Sequence, residues 1–149
     1  MMTITTTAFG DGQEMPSEYT CDGTEILPTL AIAGVPESAK SLAIIMDDPD
    51  SKPTTWTHWT IWNIPADTTE IANKKLPEGS LEGNTSFEKI GYGGPCPGVG
   101  KHRYFFKLYA LDVVLNILAG ADIDTLMQAI SGHVLEQAQV MGTYERGSV

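Results

Sequence analysis

Ser41-Leu42-Ala43-Ile44-Ile45-Met46-Asp47-Asp48-Pro49-Asp50 is the stretch on which the fold turns. From Leu42 to Met46 it is an unbroken apolar run. A strand with one wet face alternates apolar and polar residues, whereas a short run without alternation has both faces covered. The run is therefore read as the centre of a sheet. It stops abruptly at the aspartates, where Pro49 sets its own φ and pushes Asp48 out of the helical region into an extended one. The carboxylates are thus displayed at a strand end and not along a helix.

Moving toward the C-terminus, Trp56 to Ile64 has a period of two. Strict alternation puts Trp56, His58, Thr60 and Trp62 on one face and Thr57, Trp59, Ile61 and Asn63 on the other. Pro65-Ala66-Asp67-Thr68-Thr69 ends that strand. Residues 73–89 follow as a long polar connection, a length uncommon unless it serves a site. Gly91-Tyr92-Gly93-Gly94-Pro95-Cys96-Pro97-Gly98-Val99-Gly100 is stiff at its prolines and able to present bare backbone N–H groups. His102 to Leu111 is the next strand, with His102, Tyr104, Phe106 and Leu108 on one face. Arg103, Phe105, Lys107 and Tyr109 form the other, a half-exposed face on which Arg103 and Lys107 are expected to be solvated.

Moving the other way, Leu30-Ala31-Ile32-Ala33 is a short strand stopped by Gly34-Val35-Pro36, and residues 2–9 read as an edge strand ended by Gly10-Asp11-Gly12. Met15 to Gly23 is a loop. Beyond Asp112 the pattern changes: Asp124 is a candidate N-cap for a helix through Ile130. Val134, Leu135, Ala138 and Met141 lie at helical spacing in a second helix ended by Gly142. The fold class that follows is mainly β, a largely antiparallel domain with one or two C-terminal flanking helices, a single domain over residues 1–149.

Composition narrows the function. A chain of 149 residues buries about 70% of the surface its unfolded form exposes and needs no staple. Its formal net charge of −10 repels nucleic acid and anionic membrane surfaces, so an anionic ligand must be held by local donors. No run approaches the length of a membrane helix and the N-terminus lacks a signal-peptide pattern, which predicts a cytoplasmic protein without integral membrane association. Cys21 and Cys96 match no zinc or Cys-x-x-Cys spacing, and two reduced thiols are the leading expectation for a cytosolic chain, with a bridge between them the alternative in a thermophile protein. Both lie in loops expected to be neighbours.

For chemistry, Asp48, His58 and His102 stand out, each beside aromatics or a special loop. A carboxylate next to an imidazole fixes its tautomer and favours the protonated ring. The alternatives are a structural Asp-Pro turn, satisfied core histidines, an acid–base pair, or a metal site from Asp48, Asp50, His58 and His102. The glycine loop lacks the Rossmann and P-loop fingerprints but can act as a nest for one anion. Of the nucleophile candidates, Ser51 lies in the turn, and Cys96 between two prolines is a candidate reactive thiol.

Asp48-Pro49-Asp50, Trp56-Thr57-His58, Gly94-Pro95 and Gly100-Lys101-His102-Arg103-Tyr104 resemble the signature regions of the phosphatidylethanolamine-binding protein family. Tyr19 to Gly23, Gly91 to Pro97 and Gly132 to Tyr144 look like its prokaryotic, Raf kinase inhibitor-like branch. The resemblance implies a β-sandwich with a large antiparallel sheet, a smaller sheet and peripheral helices. It also implies a cavity for phosphate, a phosphoryl head group such as phosphorylethanolamine, or a carboxylate, formed by Asp48, Trp56, His58, Gly94, Pro95, His102 and Tyr104. No Gly-x-Ser-x-Gly or His-Glu-x-x-His motif is present, so no catalytic residue, metal residue or cofactor is assigned, and the resemblance adds a protein kinase or serine protease as a partner to be inhibited or scaffolded. The runner-up is a hydrolase using Asp48 with His58 or His102. Whether the chain is a monomer or a homodimer stays open. Three departures stand out: an extra residue in Asp50-Ser51-Lys52-Pro53, Tyr92 where animal members have glycine, expected to narrow the cavity mouth, and no match for the C-terminal helix that covers the site in animal members.

Overall fold

The computed structural model describes residues 1–146. In chain order the strands are β1 (Thr3–Thr5), β2 (Gln13–Glu14), β3 (Leu30–Ala33), β4 (Ser41–Asp48), β5 (Trp56–Ile64), β6 (Glu70–Ile71), β7 (Leu81–Glu82) and β8 (His102–Leu111). Helix α1 (Ile123–Ile130) and strand β9 (Val134–Tyr144) complete the order. The large sheet runs β2-β9-β8-β4-β5-β7 and the small one β1-β3-β6. Neighbours are antiparallel apart from β2, which lies parallel to β9.

β4 sits at the middle of the large sheet, hydrogen-bonded to β5 and β8, and every one of its residues is buried. Its two faces feed two cores. Leu42, Ile44 and Met46 join Trp59, Ile61, Phe106 and Leu108 against Ile4, Leu30, Ile32 and Ile71 of the small sheet. Ala43 and Ile45 join Trp62, Tyr109 and Leu111 under Leu126 and Ile130 of α1. The absence of alternation in β4 thus has the cause read from the sequence: a sheet on one side and a helix on the other. At about 25 cal/mol per Å2 of apolar surface, fully burying one such aliphatic or aromatic side chain is favourable by roughly 1.5–3 kcal/mol.

β5 departs from strict alternation. Met46 pairs with Trp59, but the next residue, Asp47, pairs with Thr57, so His58 is an extra residue in a β-bulge. A second irregularity falls between Leu42 and Ile44. The bulges return Trp59 and Ile61 to the inter-sheet core with Trp56 and His58 at its end, while Trp62 turns to the helix side. The expected shared face of Trp56, His58, Thr60 and Trp62 is therefore wrong beyond His58, because one inserted residue flips the parity of everything after it.

The second helix expected over Val134 to Met141 is strand β9, paired with β8 from His102↔Tyr144 to Leu111↔Val134. Its inward residues include Ala138, Val140, Gly142 and Tyr144, and Val134 and Leu135 are exposed. Gly142 is not a helix cap. A Cβ there would lie 2.5 Å from Met15 Cγ, so it is the close approach of Met15 that requires glycine. Pairing with the long edge of β8 outweighs a weak helical spacing, since local propensity yields to tertiary context. The remaining helix, α1, is capped by Asp122 and not Asp124: Asp122 Oδ1 accepts from the Thr125 N–H at 2.9 Å. The edge strand expected over residues 2–9 keeps only Thr3–Thr5, and the connection 73–89 contains β7.

Cys21 and Cys96 are neighbours, as expected, but they are joined in a disulfide across 75 residues of sequence, which overturns the expectation of reduced thiols. The same bond removes Cys96 as a candidate nucleophile, because a disulfide sulfur is not a thiolate.

Candidate ligand-binding cleft

At the ends of β4, β5 and β8 a cleft of about 190 Å3 opens to the surface, smaller than the roughly 300–1,000 Å3 typical of sites for drug-sized ligands. Five of the seven residues singled out from the sequence line it: Asp48, Trp56, His58, His102 and Tyr104. Ser51, Phe87, Cys96, Pro97 and Gly98 complete the wall. Gly94 and Pro95 do not line it. They are buried just behind, where the Gly94 N–H donates to Glu25 Oε2 at 2.9 Å and the Pro95 carbonyl accepts from the Cys21 N–H at 3.1 Å.

Asp48 is 3% exposed and doubly committed. Its Oδ1 accepts from the Asp50 N–H at 2.8 Å, closing the Asx-type turn that Pro49 enforces, and its Oδ2 faces His102 Nδ1 at 2.6 Å. His102 Nε2 lies 3.2 Å from the Val99 carbonyl, so both ring nitrogens point at acceptors. This pairing joins the strand-end aspartate of β4 to the first residue of β8 across the mouth of the cleft.

His58 is held differently. Its Nδ1 donates to the Gly93 carbonyl at 2.7 Å while its own carbonyl accepts from the Gly93 N–H at 2.9 Å, a reciprocal clamp between the bulge and the glycine-rich loop. With Nδ1 carrying the proton, Nε2 is the free nitrogen of the ring, an acceptor when the ring is neutral. Burial pushes its pKa down from the ordinary imidazole value, against the opposing pull of the Gly93 carbonyl and the Asp48 charge. The rings of Phe87 and Tyr104 stand edge-on to it, with centroids 5.2 Å away in each case. Phe87 reaches that position because residue 93 is glycine: a Cβ there would lie 2.4 Å from the Phe87 ring.

Tyr104 is fully buried, lines the cleft, and has a hydroxyl without a hydrogen-bond partner. Burial first, then the negative charge of nearby Asp48, raises its pKa, so it stays a donor at every ordinary pH. Asp48 lies near enough to act on the hydroxyl both by its charge and as a marginal acceptor, short of a full hydrogen bond.

Asp50 turns away from the cleft. It accepts from the Arg103 backbone N–H, Nε and a terminal guanidinium nitrogen, each at 2.9 Å, so Arg103 is not merely a solvated cation. That bidentate pair holds the Asp50 carboxyl down to about 2. A carboxyl depressed in the folded state stabilises above the unfolded value near 3.9 and loses that stabilisation as pH falls through its folded value. The Tm advantage of the wild type over Asp50→Asn is therefore expected to be constant above pH 5 and to shrink between pH ~4 and ~2. Thermal melts at stepped pH check this; an advantage that survives to pH ~2 would count against the pair.

The four-ligand metal site considered from the sequence does not form, since Asp50 is bound to Arg103 and His58 Nδ1 to Gly93. Among the described residues no group of three His, Cys, Asp or Glu side chains converges to hold a metal ion. Tyr92 does not narrow the mouth. Its ring packs against Trp59 and its hydroxyl donates to the Tyr19 carbonyl at 2.8 Å, on the far side of the loop. Phe87 was not singled out from the sequence, Ser51 was named only as a nucleophile candidate, and Pro97 and Gly98 only as part of the glycine-rich loop. Phe87 lies in the polar 73–89 connection, whose unusual length was the signal that it serves the site.

A sequence model described as phosphatidylethanolamine-binding protein matches residues 5–145. A UPF0098 protein of Methanothermobacter thermautotrophicus is 49% identical over 151 residues, covering 98% of this chain and 100% of the relative. The crystal structure of CT736 from Chlamydia trachomatis, described as a homologue of that family, superposes with a TM-score of 0.93 at 38% identity, covering 98% of each chain. YbcL of Escherichia coli, described as a member of the mammalian family, gives 0.92 at 28% identity over 98% of this chain and 99% of its own. Among the described residues no helix is long and apolar enough to cross a membrane.

Proposed function

The chain belongs to the phosphatidylethanolamine-binding protein family, and from that premise we propose that its cleft binds a small oxyanion, a phosphate or phosphoryl group, as a binding protein and not as an enzyme. One observation carries the reading: the hydroxyl of Tyr104, fully buried yet lining an opening, has no partner. An unmade hydrogen bond at a buried group costs about 1–3 kcal/mol, and an anion seated in the cleft removes that cost. The glycine-rich loop and the Asp48–His102 pair act as the rigid frame. Trp56, Phe87 and Pro97 supply apolar walls.

Against turnover stand the commitments of the reactive groups. Cys96 is oxidised, Asp48 is spent on His102 and Asp50, and no hydrogen bond joins Ser51 Oγ to either imidazole among the described residues. A kinase or protease partner is not needed for this reading. A cytoplasmic location is proposed for hosts whose cytoplasm preserves disulfides, as hyperthermophiles do; elsewhere the bridge calls for an oxidising compartment.

Calorimetric titration of phosphate and O-phosphorylethanolamine into the wild type and Tyr104→Phe tests the proposal. A hydrogen bond to a charged group contributes roughly 1.5–3 kcal/mol, so the variant is expected to bind at least about tenfold more weakly. Its ligand-free Tm is expected to be unchanged or higher, because an unpaired buried hydroxyl has been removed. Equal affinity in both proteins, or no binding to either, would overturn the reading.

A further inference from the structure

Strand β9 has an open stretch of edge. One side of it is paired with β8, and the other is covered only toward its end. There the Gly12 N–H donates to the Met141 carbonyl at 2.7 Å and the Met15 N–H to the Thr143 carbonyl at 2.8 Å, while Asp11 Oδ1 accepts from the Met141 N–H at 2.9 Å. Met141 and Thr143 thus turn their backbone groups away from β8. By alternation Gln137 and Gln139 do the same, and among the described residues their outward N–H and carbonyl groups have no partner. The opposite flank of the sheet is closed: Gly83, Ser86 and Gly93 donate to the carbonyls of Thr60, Thr57 and His58 on β5. Folded proteins guard an open edge with lysine, proline or a very short strand. Residues 134–141 contain neither lysine nor proline, and their only charge is Glu136.

Beside this edge lies a cavity of about 390 Å3, between β9 and β1. Its floor is apolar, since Met2, Ile4, Phe9 and Val140 are buried, and Ala138 is half-buried at its side. Asp11 stands at one end of the open edge, and Glu136, whose carboxylate accepts from the Met2 N–H, at the other. No Lys or Arg lines the cavity, and among the described residues neither carboxylate is paired with a basic side chain. The cavity shares no lining residue with the cleft at the strand ends.

We propose that this edge docks an extended segment of a partner protein with the pattern basic-x-apolar-x-basic, added to the large sheet as a further strand. The backbone of the segment pairs with Gln137 and Gln139. Its central side chain, opposite Ala138, points to the inner face and enters the cavity. The flanking basic side chains, opposite Glu136 and Val140, reach Glu136 and Asp11. Main-chain hydrogen bonds supply affinity in such strand addition, and the pocket for an alternate side chain supplies specificity. The pattern is palindromic, so either strand direction satisfies it. Charge decides the occupant: a second copy of this chain would oppose one protein of net charge −10 to another, and its own residues 134–141 bring no cation to either carboxylate.

The probe is the peptide Lys-Thr-Leu-Thr-Lys, blocked at both ends and carrying a fluorophore, titrated into the full chain at low ionic strength. Anisotropy reads affinity, and amide NMR of the same mixtures reads location. A Kd below about 1 mM is expected, with shifts and slowed exchange centred on the Gln137 and Gln139 N–H groups. Replacing both lysines of the peptide by glutamate is expected to weaken binding at least about tenfold. In the protein, Glu136→Gln keeps the acceptor for the Met2 N–H and is expected to weaken binding by about two- to fivefold. Gln139→Pro removes a donor that the sheet itself does not use, a change tolerated at an edge, and is expected to abolish binding with the β8–β9 pairing intact. No binding up to about 1 mM, equal binding of the lysine and glutamate peptides, or shifts confined to the cleft at the strand ends overturns the proposal. So does protection of Gln137 and Gln139 that grows with protein concentration in the absence of peptide, the signature of two copies pairing with each other.

Discussion

Reducing the Cys21–Cys96 bridge, or replacing both cysteines in Cys21→Ser/Cys96→Ser, is expected to cost about 4 kcal/mol of stability. The bond closes a loop of 75 residues, and the loss of chain entropy in the unfolded state for a loop of that length amounts to about 4 kcal/mol at 25 °C. For a domain of this size one kcal/mol moves the Tm by roughly 2–4 °C, so a drop of roughly 8–16 °C is expected. The bridge also holds the wall of the cleft. Cys96 lines it, and Cys21 lies next to Asp22, whose carboxylate accepts from the Tyr144 hydroxyl at 2.7 Å and from Arg146 at 2.8 Å. Loss of the bridge frees the 91–100 loop from that anchor, so weaker phosphate binding should accompany the lower Tm. Melts with and without reductant check the first part, after a thiol count under denaturing, non-reducing conditions has found no free thiol. Identical melting of oxidised and reduced protein would sink the prediction.

The second large effect is expected from His102→Ala, which should lower stability by about 3 kcal/mol. The side chains of Asp48 and His102 are 4% and 15% exposed, and the substitution strands a carboxylate that keeps only the Asp50 N–H. Removing one partner of a buried pair is costly because the other stays desolvated and uncompensated. Adding Asp48→Asn in the same chain is expected to recover part of the loss, since the orphaned charge is then gone. Denaturant titration of the two single variants and the double variant measures the coupling. A His102→Ala protein within about 0.5 kcal/mol of wild type would show that the pair is not stabilising.

Several elements of this fold were legible along the chain. The two-sided burial of Leu42 to Met46 follows from composition alone, and so does the display of Asp48 at a strand end by Pro49. The inward face of β8, with Tyr104, Phe106 and Leu108, follows from alternation in a strand that carries no bulge until its last pair. Most of the site was likewise readable, since Asp48, Trp56, His58, His102 and Tyr104 all reach one cleft. The family resemblance added Gly94 and Pro95, whose place proved to be the backing of the wall and not its surface.

What the chain did not reveal depends on partners far away in sequence. β9 carries both a helical and an alternating pattern, and only the unpaired edge of β8 chooses between them. Cys21 and Cys96 have no diagnostic spacing; they meet because Glu25, Tyr92 and the Pro95 carbonyl bring two loops together. The parity of β5 and the free nitrogen of His58 both come from the bulge opposite Met46 and Asp47. Sequence by itself determined which residues are apolar, where strands must end and which polar groups were available for a site. Tertiary structure decided which way each one faces. Periodicity counts residues along one strand, whereas facing is set by the hydrogen bonds that a neighbouring strand offers, and a single extra residue between two of those bonds reverses the count.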